Sequence, residues 1–377
     1  ELTDLDGPAT CRHVCYNHSV MGIVRGAVVD MNTPGKVADL SQVKEFTVDP
    51  ARRLFSATHD EIINGYTTDL YFVKTRQILG SMGLADACVT AEIFPRRQGV
   101  LAGIDECMNL LLDTDVEVWA MPEGQPFDAK QTVMRIRGKY SEFGIHETAL
   151  LGILASSSAW ATAARAIRDA AGGKPFICFG ARHLHPAVAP VMERAAVVGG
   201  ADGASCILGA KLAGVEPKGT VPHAVFLIAG DTVEVAKVYD CEMPPGDARI
   251  ILVDTFKDEA EESLRVAEAL RERLQGIRLD TPGERGGVTT DLVREVRARL
   301  DQAGFSHVRI FVSGGVTPER IMELSAAGAD SFGVGSYISG ASPIDMTMDI
   351  KEVEGKPIAK RGRIPGITSS PRLVKVK

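Results

Sequence analysis

From residue 146 onward, short apolar runs alternate with helical segments, and this rhythm restricts the fold more than any other feature of the chain. The runs are FICFG (176–180), ASCIL (204–208), AVFLIA (224–229), RIILVD (249–254), IRLD (277–280), VRIFVSG (308–314) and SFGVG (331–335). The segments between several of them carry helix punctuation. TPERIMELSAAG has Thr317 as N-cap, Pro318 at the first helical position and Gly328 as stop. FKDEAEESLRVAEALRERLQG starts acidic and ends basic, matching the helix dipole, and Ala260, Leu264, Ala267, Leu270 and Leu274 form one apolar face. Apolar strands alternating with helices imply a parallel sheet buried on both faces. Seven runs predict a closed or nearly closed α/β barrel. An open doubly wound sheet is the alternative, but no GxGxxG follows the first run.

The preceding residues follow a different pattern. Residues 54–145 combine a helical segment, HDEIINGYTTDLYFVKTRQILGSMG, with VEVWAMPEGQPF and TVMRIRGKY, which read as half-buried antiparallel strands. Residues 1–53 are turn-rich and form an extension of unassigned role. Cys11, His13, Cys15 and His18 have zinc-binding chemistry, but all lie within CRHVCYNH, whereas a structural zinc site draws on two separated pairs. A chain of 377 residues is long enough for two cored domains. A net charge of -7 without a long basic run argues against a general nucleic-acid or anionic-membrane binder. No uninterrupted apolar stretch reaches about 18 residues, so no transmembrane helix is expected. The acidic first residues lack the apolar core of a signal peptide. Seven scattered cysteines fit reduced thiols in a cytoplasmic protein.

In a parallel α/β barrel the chemistry sits at the carboxyl ends of the strands. Those ends are polar here: Arg182, His183 and His185; Asp202 and Ser205; Thr220 and His223; Asp254 and Asp258; Arg278 and Asp280. The last two ends are glycine-rich, with Ser313, Gly314 and Gly315 on one and Gly333 and Gly335 on the other. Backbone N–H groups there can approach a phosphate, helped by the positive end of the helix after Thr317. Arg278 and Asp280 share one face of a short strand, offering a cation for phosphate or carboxylate and an acid for Mg2+ or ribose hydroxyls. Asp254 and Asp258 are placed to approach a Mg2+-bound diphosphate. His223, between Pro222 and an apolar run, is open to three readings: core histidine, metal ligand or reacting group.

Taken in order, the motifs TTDLYFVKT, EFGIHETALLGILA, FGARHLHPAVAP, GGADGASC, GTVPHAV, LVDTFKDE, RLDTPGERGG and VSGGVTPERI resemble the nicotinate phosphoribosyltransferases, type II phosphoribosyltransferases of NAD synthesis. The resemblance covers about residues 54–365. It implies an irregular seven-stranded α/β barrel over residues 146–340, and an N-terminal α/β sandwich over 54–145 completed by 341–377. It implies homodimers whose active sites are shared between subunits. Tyr71 of the other subunit would stack on the nicotinate ring, Phe179 on its other face. Arg182 would bind the base carboxylate, with Asp202 nearby. Asp69, Thr220 and Arg278 would bind substrate, Asp280 would contact ribose and diphosphate as a catalytic residue, and the glycines would cradle the 5-phosphate. His223 resembles the histidine phosphorylated by ATP, the co-substrate. Mg2+, with Asp254, Asp258 and Asp280 as candidate ligands, would neutralise the diphosphate. The implied reaction is ATP-coupled conversion of nicotinate and phosphoribosyl diphosphate to nicotinate mononucleotide and diphosphate.

Sister enzymes acting on nicotinamide or quinolinate are the alternatives, although few basic residues near GARHLHP disfavour a doubly charged base. A phosphate-binding barrel lyase would need a Schiff-base lysine at a strand end. Lys237 is the one tempting candidate, and it lies outside them.

Overall fold

The computed structural model describes residues 35–377; Cys11, His13, Cys15 and His18 lie outside them. The described chain opens with α1 (Leu40–Glu45), α2 (His59–Ile63) and α3 (Leu70–Ser81). The stretch expected as one helical segment is therefore two helices. Thr58 and Glu61 cap α2 reciprocally, a turn interrupts at 64–68, and Asp69 restarts the chain as α3. Next come β1 (Cys88–Pro95), β2 (Gly99–Val100), α4 (Ile104–Leu110), β3 (Val116–Ala120), β4 (Pro126–Phe127), β5 (Met134–Lys139) and the short α5 (Tyr140–Phe143).

The 25-residue α6 (Glu147–Ala171) follows. By length and composition it is apolar enough to cross a membrane. Here it packs between two cores: Leu150 and Leu154 join one, and Trp160, Ala161, Ala164 and Ile167 the other. The second half continues with β6 (Phe176–Cys178), α7 (Ala189–Gly199), α8 (Ile207–Leu212), α9 (His223–Ala229), α10 (Thr232–Glu242), β7 (Ile250–Leu252) and α11 (Glu259–Leu270). Then come β8 (Gly276–Leu279), α12 (Thr290–Gln302), β9 (Arg309–Val312), α13 (Pro318–Ala327), β10 (Ser331–Val334) and α14 (Ser336–Ser339). The chain ends with β11 (Met346–Val353), β12 (Lys356–Pro357) and β13 (Val374–Lys375).

Two main sheets result. One is antiparallel, in the order β12-β11-β1-β5-β3-β13, so strands after residue 345 flank those before 140. The other is parallel, in the order β6-β10-β9-β8-β7. It has five strands, which corrects the expected seven. ASCIL contributes a single bridge, Ala204 to Cys178, before α8 begins. AVFLIA is not a strand but the body of α9. A short apolar run does not distinguish strand from helix by periodicity. Its flanks decide: Pro222 stands at the N-cap and Gly230 closes the helix in the left-handed conformation. Within α9 only Phe226 is buried, so the run lacks the two covered faces of an interior parallel strand.

Elsewhere the punctuation governs. Thr317 caps α13 through the Arg320 N–H, and Asp258 caps α11 through those of Ala260 and Glu261. Ile251, Leu252, Ile277, Leu279, Ile310, Val312, Phe332 and Val334 are buried between the helices. At about 1.5–3 kcal/mol for each large apolar side chain, this layer fixes where each strand ends, and so where the polar loops begin.

Candidate active site

A cavity of about 440 Å³ opens at the carboxyl ends of the parallel strands. Its lining includes Phe179, Arg182, His183, Ser205, Thr220, His223, Arg278, Asp280, Ser313, Gly314, Gly315, Gly333 and Gly335.

Its organising group is Arg278. On β8 the buried Ile277 and Leu279 hold the strand, and alternation turns Arg278 to the cavity. The guanidinium donates from Nε to Ser313 Oγ (2.8 Å), from Nη1 to Thr220 Oγ1 (2.9 Å) and from Nη2 to Asp280 Oδ2 (3.0 Å). Ser313 Oγ donates onward to Asp280 Oδ1 at 2.8 Å. Arg278 also lies over the Phe179 ring, 5.4 Å from its centroid. One side chain thus ties together β8, the loop after β9, the loop before α9 and the aromatic wall.

The glycines meet two separate demands. Gly314 adopts φ 86°, and a Cβ there would stand 3.0 Å from Asp280 Oδ1. At Gly333 a Cβ would come within 2.6 Å of the Phe179 ring, so only glycine lets that ring lie against β10. With the capped N-terminus of α13 beyond Gly315, the corner has the form of a phosphate cradle.

His223 and Asp254 form the second centre. As the first residue of α9, His223 makes a 3.0 Å contact from Nδ1 to Thr255 Oγ1. Its Nε2 lies 3.6 Å from Asp254 Oδ2 and 3.9 Å from Asp280 Oδ2. Both carboxylate oxygens of Asp254 are buried without a hydrogen-bond partner. Burial pushes its carboxyl up to about 6, against the opposing pull of His223.

Asp202, Asp258, Asp69, Tyr71 and Lys237 stand apart from the cavity. Asp202, expected in the base pocket, is at the other end of the parallel sheet. Its carboxylate accepts from the Phe176 N–H, at the start of β6, and pairs with Arg168. Asp258 is committed to capping α11. Asp69 and Tyr71 lie on the N-terminal turn of α3; Asp69 accepts from Thr148 Oγ1 at 2.9 Å, and Tyr71 is exposed. Lys237 is on α10, paired with Glu234, and not at a strand end.

Sequence reasoning missed the supports. Thr255 orients His223, and its place directly after Asp254 was the available signal. Ser339 Oγ lies 3.0 Å from His183 Nδ1, joining the 181–183 turn to α14. Nothing in the order of residues pairs those two.

Comparison with known proteins fits this geometry. The model of the quinolinate phosphoribosyl transferase N-terminal domain matches residues 69–158, and that of its C-terminal domain matches residues 160–349, half of the chain. The chain belongs to the quinolinate phosphoribosyltransferase family, the type II phosphoribosyltransferases. A nicotinate phosphoribosyltransferase of Mycobacterium tuberculosis is 29% identical to it over 353 residues, covering 82% of this chain and 78% of that protein. The crystal structure of nicotinate-nucleotide pyrophosphorylase from Pyrococcus furiosus is 46% identical, with a TM-score of 0.80, covering 84% of this chain and 82% of that one. Human nicotinic acid phosphoribosyltransferase, 20% identical with a TM-score of 0.63 over 80% of this chain and 77% of that one, shares the fold. This phosphoribosyltransferase is an enzyme of NAD biosynthesis, in the branch that handles nicotinate and quinolinate.

Proposed function

We propose that this phosphoribosyltransferase converts nicotinate and phosphoribosyl diphosphate to nicotinate mononucleotide and diphosphate, with ATP as co-substrate. The observation that carries nicotinate is the supply of cations. Arg278 is occupied by Asp280, Ser313 and Thr220, whereas Arg182, also lining the cavity, forms no hydrogen bond or ion pair among the described residues. One uncommitted guanidinium beside an aromatic wall suits a flat ring with a single carboxylate.

In the transfer, the pyridine nitrogen lone pair forms the bond to C1 of the sugar. The C1–O bond breaks, and its electron pair leaves with diphosphate. Phe179 would hold the ring, Arg182 the carboxylate, and Ser313, Gly314, Gly315, Gly333 and Gly335 the 5-phosphate. Arg278 and Asp280 would set the sugar's position. The two orphaned oxygens of Asp254, with Asp280 across from them, fit a hard divalent cation completed by substrate oxygens. When bound, Mg2+ would neutralise charge on the diphosphate.

His223 supports the ATP reading. With Nδ1 held by Thr255, Nε2 is the nitrogen left to accept a phosphoryl group. Formation of that N–P bond releases ADP, and its hydrolysis releases phosphate. A shared dimeric site would bring Asp69 and Tyr71 to a partner's cavity. The apolar exposure of Leu70, Tyr71 and Ile78 on α3, and of Ile207, Leu208, Leu227 and Ile228 on α8 and α9, supports it.

Quinolinate is the second reading, favoured by the name of the matching family model. Its extra carboxylate needs a further cation, and among the described residues lining the cavity only His183 or His223, when protonated, could supply one beyond Arg182 and the occupied Arg278. Product analysis with each base in turn, with and without ATP, tests the proposal. Nicotinate mononucleotide formed faster with ATP supports it; carbon dioxide release from quinolinate, with no nicotinate turnover, would overturn it.

A further inference from the structure

Glu193 is fully buried on α7, yet its three hydrogen-bond partners are all neutral. Oε1 accepts from the Ala181 N–H (3.2 Å) and Ser205 Oγ (3.0 Å), and Oε2 accepts from the Cys206 N–H (2.6 Å). Withdrawing a carboxylate from water without a counter-cation is costly, and a helix packed on a sheet has no need of one. The donors show what the charge achieves. They come from two separate loops, and both loops line the cavity. One is the 181–183 turn that carries Arg182; the other presents Ser205. The turn lies directly on α7, since a Cβ at Gly180 would stand 2.6 Å from Met192 Cε. The residues assigned to the sugar and its 5-phosphate, Arg278, Asp280 and Ser313, bond to one another and not to Glu193.

We infer that Glu193 is a positioning residue for base recognition: its buried carboxylate fixes the Arg182 turn and the Ser205 loop at one spacing across the cavity wall. This rests on the reading that Arg182 binds the base. Charge-assisted hydrogen bonds are short and directional, so they suit a role in which a guanidinium must meet a carboxylate bidentately.

Glu193→Gln tests the inference. Glutamine keeps the size, but its amide nitrogen cannot accept from a backbone N–H, so either the Ala181 or the Cys206 N–H loses its acceptor and its loop is held more loosely. The KM for the base should rise about tenfold, the equivalent of one lost charge-assisted contact, while the KM for phosphoribosyl diphosphate stays within about twofold. A residue serving only stability would lower Tm and leave both KM values in place; that result, or an equal rise in both, overturns the inference. If Glu193→Gln does not fold, Ser205→Ala decides. It removes one donor and leaves the carboxylate: a selective rise in base KM supports the role, and an unchanged base KM overturns it. Each measurement uses whichever base the wild-type enzyme turns over. Failure of nicotinate as substrate is therefore seen in the wild type, separately from failure of Glu193 in the variant.

Discussion

Asp254→Asn should make the metal-free enzyme more stable at pH 7.5 while removing its activity. The Asp254 side chain is 0% exposed, and neither oxygen has a hydrogen-bond partner. Burial pushes the carboxyl up to about 6 from an ordinary 3.8, Asp280 and Glu259 adding to the rise and His223 opposing it. A folded-state value above the unfolded one means that the folded protein holds this proton more tightly. The associated stability is fully present below about pH 4 and is lost as pH rises through about 6. The difference corresponds to about 3 kcal/mol, which the ionised group costs the fold at pH 7.5. Asparagine has the same shape without the charge, but its amide stays unpaired at a cost of about 1 kcal/mol. The net gain is about 1–2 kcal/mol, or a few degrees in Tm. Thermal unfolding in a chelator-containing buffer at pH 7.5 and 4.5 measures it. The variant should melt higher at pH 7.5, with the advantage gone at pH 4.5. A wild type at least as stable at pH 7.5, or an equal advantage at both values, would refute the reasoning.

His146 is buried with Nδ1 unpartnered, and burial pushes its pKa down to about 4, with Lys36 and Arg76 adding to the fall. Its contribution is present above about pH 6.5 and lost as pH falls toward 4, up to about 3 kcal/mol. His146→Leu should flatten the stability profile over that window, as read by denaturant titration at several pH values. Gly314→Ala places a methyl 3.0 Å from Asp280 Oδ1 at φ 86°; kcat/KM should fall at least about tenfold while Tm drops by only a few degrees, the equivalent of about 1–2 kcal/mol of strain at one left-handed residue. Arg278→Lys keeps the charge but cannot serve Ser313, Thr220 and Asp280 together; kcat/KM should drop about a hundredfold, or about 3 kcal/mol, in steady-state assays.

Much of this architecture was legible because its signals are local. Thr317, Pro318 and Gly328 mark α13 by chemistry that acts within one turn of helix. Arg278 and Asp280 were readable as a pair because strand alternation puts them on one face. The failures concern information that is not local. AVFLIA satisfies a strand and a helix equally by periodicity; its flanks Pro222 and Gly230 favour the helix, and the burial of Phe226 alone, which depends on packing, agrees with it. Asp202 has the right chemistry, but two residues before the Ala204 bridge it falls at the start of β6 rather than its end. Asp258 reads as an acid near a strand end, and only the direction of α11 reveals it as a cap. Glu193 carried no signal in the sequence, because its role depends on two loops that arrive from elsewhere in the chain.

The central claim is that one uncommitted guanidinium, Arg182, selects a pyridine with a single carboxylate. Competition measures it directly: the purified enzyme receives equal nicotinate, nicotinamide and ring-deuterated quinolinate with phosphoribosyl diphosphate, Mg2+ and ATP, and the mononucleotides are resolved by mass, the label marking any nicotinate mononucleotide that arises from quinolinate by loss of carbon dioxide. Nicotinate mononucleotide should dominate in the wild type, and its excess over nicotinamide mononucleotide should collapse in Arg182→Met. A product mixture led by nicotinamide mononucleotide, or a preference unchanged in Arg182→Met, would contradict the account.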